Sequence, residues 1–401
     1  MSRTPSEEIL EKYAQVLINF ALGSEKGINP GEVVMIQVPE CAKPLLIHLQ
    51  TAVLKAWGHP LIRYFPDGIV RNFFELASEE QLEFKPSHEM LGRVEDIDHM
   101  ISIIADHDKH ELEWIDPKKI MTSSKANKFY RDALNAKENN DDFTRTIGLY
   151  GTEQMAAEVW LSLEQYRDQI IKACYLDEND PIAKRTELSS EINTVKDTLN
   201  SMPIERLHIK GEDVDLKVKI WKNRKRLWWT WRNIPSFEVF ISPDRRGTEW
   251  RYKCNQPLYR YGNLISGIEL RFSWGKVVES RAAQNLEVLK EMIATQHADK
   301  IGEFSLTDKR FSRIDTFMGE TLYDENVGGP FGNTHIALGM AYKDSFPWDI
   351  PSVTSEQREE MGYNDSVVHT DIVSTTDRTV VATMTDGSEE VIYQAGQFTF
   401  L

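Results

Sequence analysis

Residues 367–373 read Val-Val-His-Thr-Asp-Ile-Val. β-Branched neighbours on both sides favour an extended strand. Positions two apart on a strand project from the same face, so His369 and Asp371 point together while Val368, Thr370 and Ile372 point away. A helix would separate the pair by roughly 200°. A carboxylate among apolar residues needs a donor or a cation to replace its lost water. Two chemistries answer that need: a hydrogen-bonded His–Asp pair that fixes the core, or two ligands of one metal ion.

Three more segments of the second half set carboxylate or imidazole beside strand and turn signals. Asn-Ile-Pro-Ser-Phe-Glu-Val-Phe (233–240) carries Glu238, and Ile-Gly-Glu-Phe-Ser-Leu (301–306) carries Glu303. The glycine-rich stretch 322–342 carries Glu325, His335 and Tyr342. Singly, each has an ordinary structural reading. Glu238 suits a strand-edge charge, Glu303 a cap, the glycines at 328, 329 and 332 a long loop, and Tyr342 a core aromatic.

In order and wording, the four segments together resemble the M29 family of metallo-aminopeptidases, the thermophilic aminopeptidase family. The matching pieces are Asn-x-Pro-x-x-Glu-Val-Phe, the Gly-Glu strand, Asp-Glu-Asn followed by His-x-Ala-x-Gly-x-x-Tyr, and the closing His-x-Asp. The opening helix and first strand are similar too, so the likeness runs over nearly the whole chain. Phe237 stands where the family usually has a second Glu, and the spacing from Glu325 to His335 is longer than in its best-known members.

The resemblance implies six metal ligands: Glu238, Glu303, Glu325, His335, His369 and Asp371. It implies that Tyr342 is an active-site tyrosine and that the enzyme is a homodimer. Four carboxylates balance two divalent cations, and neutral imidazoles add no charge. Zn, Co, Mn and Mg all suit such mixed ligands. The expected reaction is removal of the first residue from peptides with a free N-terminus, by a water whose pKa two metal ions lower. Glu303 would move the proton, and Tyr342 would donate to the oxyanion. Two other readings stand beside this one. A mononuclear iron ring-cleaving dioxygenase on a related scaffold would need only His335, His369 and Asp371. A non-catalytic binding protein would use the ions structurally.

The elements that must hold these groups are legible in outline. Apolar residues at 9, 10, 13, 16, 17 and 20 predict an opening helix ending near Gly23. Strands are expected at 33–38, 60–65, 99–105 and 146–151, with a helix at 42–57; this alternation predicts a parallel sheet with right-handed crossovers. No GxGxxG or Walker sequence supports a nucleotide cradle. Residues 105–110, Ala-Asp-His-Asp-Lys-His, read as a solvated loop at a strand's carboxyl end, placed to line a cleft; a second metal site on Asp106, His107, Asp108 and His110 is the alternative. Helices are expected over 153–200, the last polar enough to be solvated or bridging.

Beyond about 205 the chain turns to short strands, including 227–232 and hairpins at Trp274-Gly275 and Asp386-Gly387. An amphipathic helix is expected over 280–297. The expected architecture is an α/β N-terminal domain with a mostly parallel sheet and a helical connection (1–200), followed by an α+β C-terminal catalytic domain (201–401).

The 401 residues are 41% hydrophobic and 27% charged, as in soluble globular proteins. A net charge of −16, from 63 acidic and 47 basic residues, argues against nucleic acid as a partner. No apolar run is long enough for a membrane helix, and the N-terminus lacks a signal pattern. Cys41, Cys174 and Cys254 form no paired motif. A cytoplasmic enzyme is expected.

Overall fold

The computed structural model describes residues 4–220, 224–225, 232–260, 263–342, 345 and 353–401. The chain divides into two compact units, residues 1–186 with 230–235, and residues 187–229 with 236–401. The unit boundary falls within one helix, Pro181–Ser201.

The first unit is built on four strands: β1 (Val33–Pro39), β2 (His59–Phe65), β3 (His99–Ile104) and β4 (Thr144–Leu149). They lie in the order β2-β1-β3-β4, and every pairing is parallel. Val34, Met35, Ile36 and Val38 of β1 are fully buried, as expected of an inner parallel strand. The helix Lys43–Lys55 is the crossover from β1 to β2. The opening helix Glu7–Val16 is capped by Ser6 and continues as a wider turn, Leu17–Ala21. Its Tyr13 hydroxyl accepts from Leu149 N–H at 2.8 Å. A side chain at 148 would meet that hydroxyl at 2.8 Å, so the position is glycine. At the amino ends of the strands His99 spans from Glu32 (2.8 Å) to the Thr144 hydroxyl (2.7 Å).

Among the described residues the second unit holds fourteen strands. In chain order they are β5 (Ile204–Lys210), β6 (Val214–Lys219), β7 (Glu238–Ile241), β8 (Glu249–Lys253), β9 (Leu258–Arg260), β10 (Asn263–Ile265), β11 (Glu269–Ser273) and β12 (Lys276–Arg281). Then follow β13 (Ile301–Thr307), β14 (Asn333–Gly339), β15 (His369–Ser374), β16 (Thr379–Met384), β17 (Glu389–Gln394) and β18 (Gln397–Phe398). An eight-stranded antiparallel sheet runs β12-β11-β8-β6-β5-β16-β17-β18, and a four-stranded one runs β15-β14-β13-β7. The hairpin at Trp274-Gly275 forms with both turn residues at positive φ, and the one at Asp386-Gly387 joins β16 to β17.

Two expectations change. Over 280–297 the helix covers only Leu286–Ala294, because β12 runs on to Arg281 and Asn285 takes a left-handed conformation before the first turn. The helix Pro181–Ser201 is polar in composition, yet Leu188, Ile192, Val195 and Leu199 line up as a buried stripe. Of the strand expected at 227–232, residues 227–231 lie outside the described residues. Among the described residues no helix is long and apolar enough to cross a membrane.

The two sheets of the second unit are tied by buried polar side chains. The Tyr252 hydroxyl on β8 lies 2.8 Å from the carbonyl oxygens of Thr334 and Ile372, on β14 and β15. Arg378, 1% exposed, stacks on the Tyr252 ring at 4.7 Å and donates to the Thr334 hydroxyl at 2.8 Å. The Tyr393 hydroxyl on β17 donates to the Thr307 carbonyl on β13 at 2.9 Å. Tyr252→Phe keeps the ring and removes only the hydroxyl. We expect it to lower unfolding free energy by about 1–2 kcal/mol, read as a reduced urea midpoint with an unchanged slope.

Candidate active site

The four-stranded sheet has two chemically distinct faces. Val239 and Ile241 on β7, Phe304 and Leu306 on β13, Ile336 and Leu338 on β14, and Ile372 on β15 are cross-strand partners and share the apolar face. The alternate residues form the other face: Glu238, Glu303, Ser305, His335, His369 and Asp371. Period-two alternation thus does the sorting.

One irregularity makes it work. Ile301 pairs with Leu338, but Glu303 pairs with Ala337, so Gly302 is an extra residue bulged out of β13. Without the bulge Glu303 would face Ile336 and the apolar side. A side chain at 302 would meet the carbonyl oxygens of Met340 at 2.2 Å and Gly339 at 2.5 Å, which restricts the position to glycine. Ala337, between Glu303 and Asp371 in register, adds little bulk to the middle of the polar face.

On that face the groups converge. His335 Nε2 lies 3.1 Å from Glu238 Oε2 and 3.2 Å from Glu303 Oε1. His369 Nε2 lies 3.5 Å from Asp371 Oδ1 and 3.9 Å from Glu303 Oε2. Two compact trios result, Glu238–Glu303–His335 and Glu303–His369–Asp371, each with donor atoms within 4.8 Å of one another. Glu303 belongs to both and turns one oxygen toward each histidine. His369 Nδ1 donates to the Met340 carbonyl at 2.8 Å, which fixes the ring and turns Nε2 toward the carboxylates.

Glu325 lies just past the short helix Thr321–Asp324, outside both trios. It lines a cavity of about 20 Å³ with Asp371 and Asp324, room for about one water. Burial pushes its carboxyl well above the usual range, and Glu238 and Asp371 push it further. Tyr342 follows β14; its ring centroid is 4.8 Å from that of His369, and its N–H donates to the Ser242 hydroxyl. Burial and then the field of Glu303 and Asp371 keep its phenol protonated.

Three supporting residues were not singled out from the sequence. The Ser305 hydroxyl donates to Glu238 Oε2 at 2.6 Å; its position two residues after Glu303 on a strand was the available signal. Asn326 accepts from the Phe237 N–H at 2.7 Å, which fixes the approach to Glu238. Asn333 donates to the Glu325 carbonyl at 2.8 Å. These two sit in loop and strand-end positions with no periodicity to mark them.

None of the four carboxylates forms an ion pair with a lysine or arginine among the described residues. The histidines take that role. Burial disfavours the His369 cation, but Asp371 and Glu303 outweigh it and raise its pKa to about 9. His335 is raised for the same reason, by Glu238 above all. Burial pushes the Glu303 carboxyl up to about 7. Asp371 is also opposed by burial, yet His369 holds it below the ordinary value. Anionic oxygen and imidazole nitrogen, buried and short of positive charge, form a donor set that fits divalent cations.

These shifts set a pH dependence for the protein stripped of divalent ions by a chelator. Glu303 titrates near 7 when folded and near 4.5 otherwise, so its ionisation costs stability as pH rises through that range. His369 contributes stability below 6.5, and that contribution is lost as pH rises through about 9. Both point the same way, and Asp371 acts only in acid. The chelated protein should therefore be less stable near pH 9 than near pH 6, by about 1–4 kcal/mol in urea unfolding; a flat or rising profile would contradict the arrangement.

Comparison with known proteins agrees with this geometry. The model of the family described as thermophilic metalloprotease (M29) matches residues 6–398. Aminopeptidase T of Thermus thermophilus is 27% identical over 97% of this chain and 98% of its own length. Aminopeptidase 2 of Geobacillus stearothermophilus is 26% identical over 98% of both, and aminopeptidase AmpS of Bacillus subtilis 25% over 98% of this chain and all of its own. The solved structure of wild-type AmpT from Thermus thermophilus superposes with a TM-score of 0.82 at 24% identity, over 98% of this chain and 99% of that one, and so shares the fold. The chain belongs to the M29 family of thermophilic metalloproteases and is a peptide-bond hydrolase.

Proposed function

We propose that this chain is an aminopeptidase working with two divalent ions, and that Glu303 is the group both ions share. The observation that supports it best is the position of Glu303, one oxygen toward each histidine at the join of the two trios. Glu238, Glu303 and His335 would hold one ion, and Glu303, His369 and Asp371 the other, with Glu325 closing the set from the cavity side. Bound there, the ions would supply Lewis acidity and lower the pKa of a water toward neutrality.

The chain's own residues do the rest. Glu303, with its raised pKa, accepts the proton of the attacking water and returns it to the leaving amine. The Tyr342 phenol, kept protonated beside His369, donates to the developing oxyanion. The surplus of buried carboxylate attracts the ammonium of a free N-terminus. Ser305 holds Glu238 in orientation from behind. Substrates are short peptides, the working assembly is a homodimer, and the compartment is the cytoplasm.

The iron-dioxygenase reading is less well supported. It needs His335, His369 and Asp371 as one set, whereas the trios interleave carboxylates with the histidines and involve Glu238 and Glu303, which such an iron site does not use.

The test combines elemental analysis with peptide assays. About two divalent ions per chain are expected, with release of the first residue from a leucyl tripeptide and none from its N-acetyl form. Glu303→Gln should cut kcat by about 10²–10⁴-fold. One iron per chain, or full turnover by that variant, would overturn the reading.

A further inference from the structure

A cavity of about 450 Å³ lies within the second unit, and none of the six proposed metal ligands lines it. Three segments meet around it: Met340 and Ala341 after β14, Tyr363 to Asp365 before β15, and the helix Ser355–Glu360. Its volume is within the range of small-ligand pockets.

Asn364, on its wall, is 3% exposed. The amide nitrogen donates to the His297 carbonyl at 2.7 Å and to the Gly339 carbonyl at 2.6 Å, which uses both of its hydrogens. The Asn364 backbone carbonyl accepts from the Ala341 N–H at 2.9 Å. The amide is thus locked in one orientation, and its Oδ1 is buried without a hydrogen-bond partner. A buried amide oxygen ordinarily accepts a bond.

The carboxylates around the cavity are further acceptors. Asp365 is exposed; its backbone carbonyl accepts from His297 Nδ1 at 2.9 Å, while its carboxylate makes no ion pair or hydrogen bond among the described residues. Glu356 is exposed too and forms no ion pair among the described residues. Glu359 is already paired with Arg245. Arg358, the guanidinium on the wall, donates to the Val353 carbonyl at 3.4 Å. Met340, 37% exposed, adds an apolar side chain. The groups left to meet a ligand are therefore acceptors and carboxylates beside an apolar stem.

We propose that this cavity binds a basic side chain of a peptide, its alkyl stem along Met340 and its cationic head toward Asn364 Oδ1, Asp365 and Glu356. An arginine or lysine head carries donors and no acceptor, and its stem covers apolar surface while the head stays polar. An acidic side chain would set like charges together. The claim does not depend on the peptidase reading. Met340 serves both sites, since its carbonyl also fixes the His369 ring.

Hydrogen exchange of the full chain, followed by mass spectrometry, tests it with N-acetyl-L-arginine amide. The blocked N-terminus of this probe denies it the ammonium that the proposed active site attracts. It should slow exchange in residues 296–298, 339–342 and 356–366. N-Acetyl-L-citrulline amide has nearly the same shape without the charge and should need at least about tenfold more ligand. Asp365→Asn and Glu356→Gln, both at exposed positions, should each weaken the arginine probe by about twofold to fivefold. In Glu303→Gln the protection should persist, which separates this site from the proposed active site. Equal protection by the citrulline compound, unchanged binding in the variant carrying both substitutions, protection that leaves out residues 356–366, or no protection would overturn the proposal.

Discussion

The second unit depends on one carboxylate shared by two histidines. Glu303 is 3% exposed, and each of its oxygens faces an imidazole carried by a different strand. A buried carboxylate in that setting is unfavourable unless positive charge comes to it. Three strands must keep their register for the contacts to exist at all. The ties from Tyr252 and Tyr393 to the backbone of β13, β14 and β15, and from Arg378 to the Thr334 hydroxyl, hold that register from the large sheet. Stability in the large sheet is therefore spent on geometry in the small one.

The face carrying these groups shows a division of labour. Ser305 and the Met340 carbonyl fix side chains from outside the trios, while Ala337 keeps bulk out of their midst. Asn326 and Asn333 join the loop bearing Glu325 to the segments bearing Glu238 and His335. Three stretches are locked together by amide side chains whose donor and acceptor ends are both in use.

Much of this was legible before any coordinates. His369 and Asp371 could be placed on one face because a strand repeats every two residues, and the four strands of the first unit announced themselves as apolar runs between turns. The failures have physical causes. Ala282, Ala283 and Leu286 continued a helical spacing that the left-handed Asn285 interrupts, and one residue's backbone conformation leaves little trace in hydrophobic pattern. High charge density hid the buried stripe of Pro181–Ser201, because its apolar positions are only one face among many polar ones. Ser305, Asn326 and Asn333 were passed over because a supporting hydrogen bond depends on three-dimensional proximity, which short polar residues do not advertise. The position of Glu325 depended on a loop whose length was visible and whose path was not.

The bulge at Gly302 has a consequence for how such a chain can change over time. Side chains on a strand have two orientations and no intermediate, so losing or gaining a residue there does not weaken the arrangement by degrees. A residue lost or gained between Glu303 and Thr307 would turn Glu303 toward the hydrocarbon interior in a single step, whereas loss of Gly302 would leave it opposite Ala337. Drift by substitution remains open along β13, whereas drift in its length between Glu303 and Thr307 is closed.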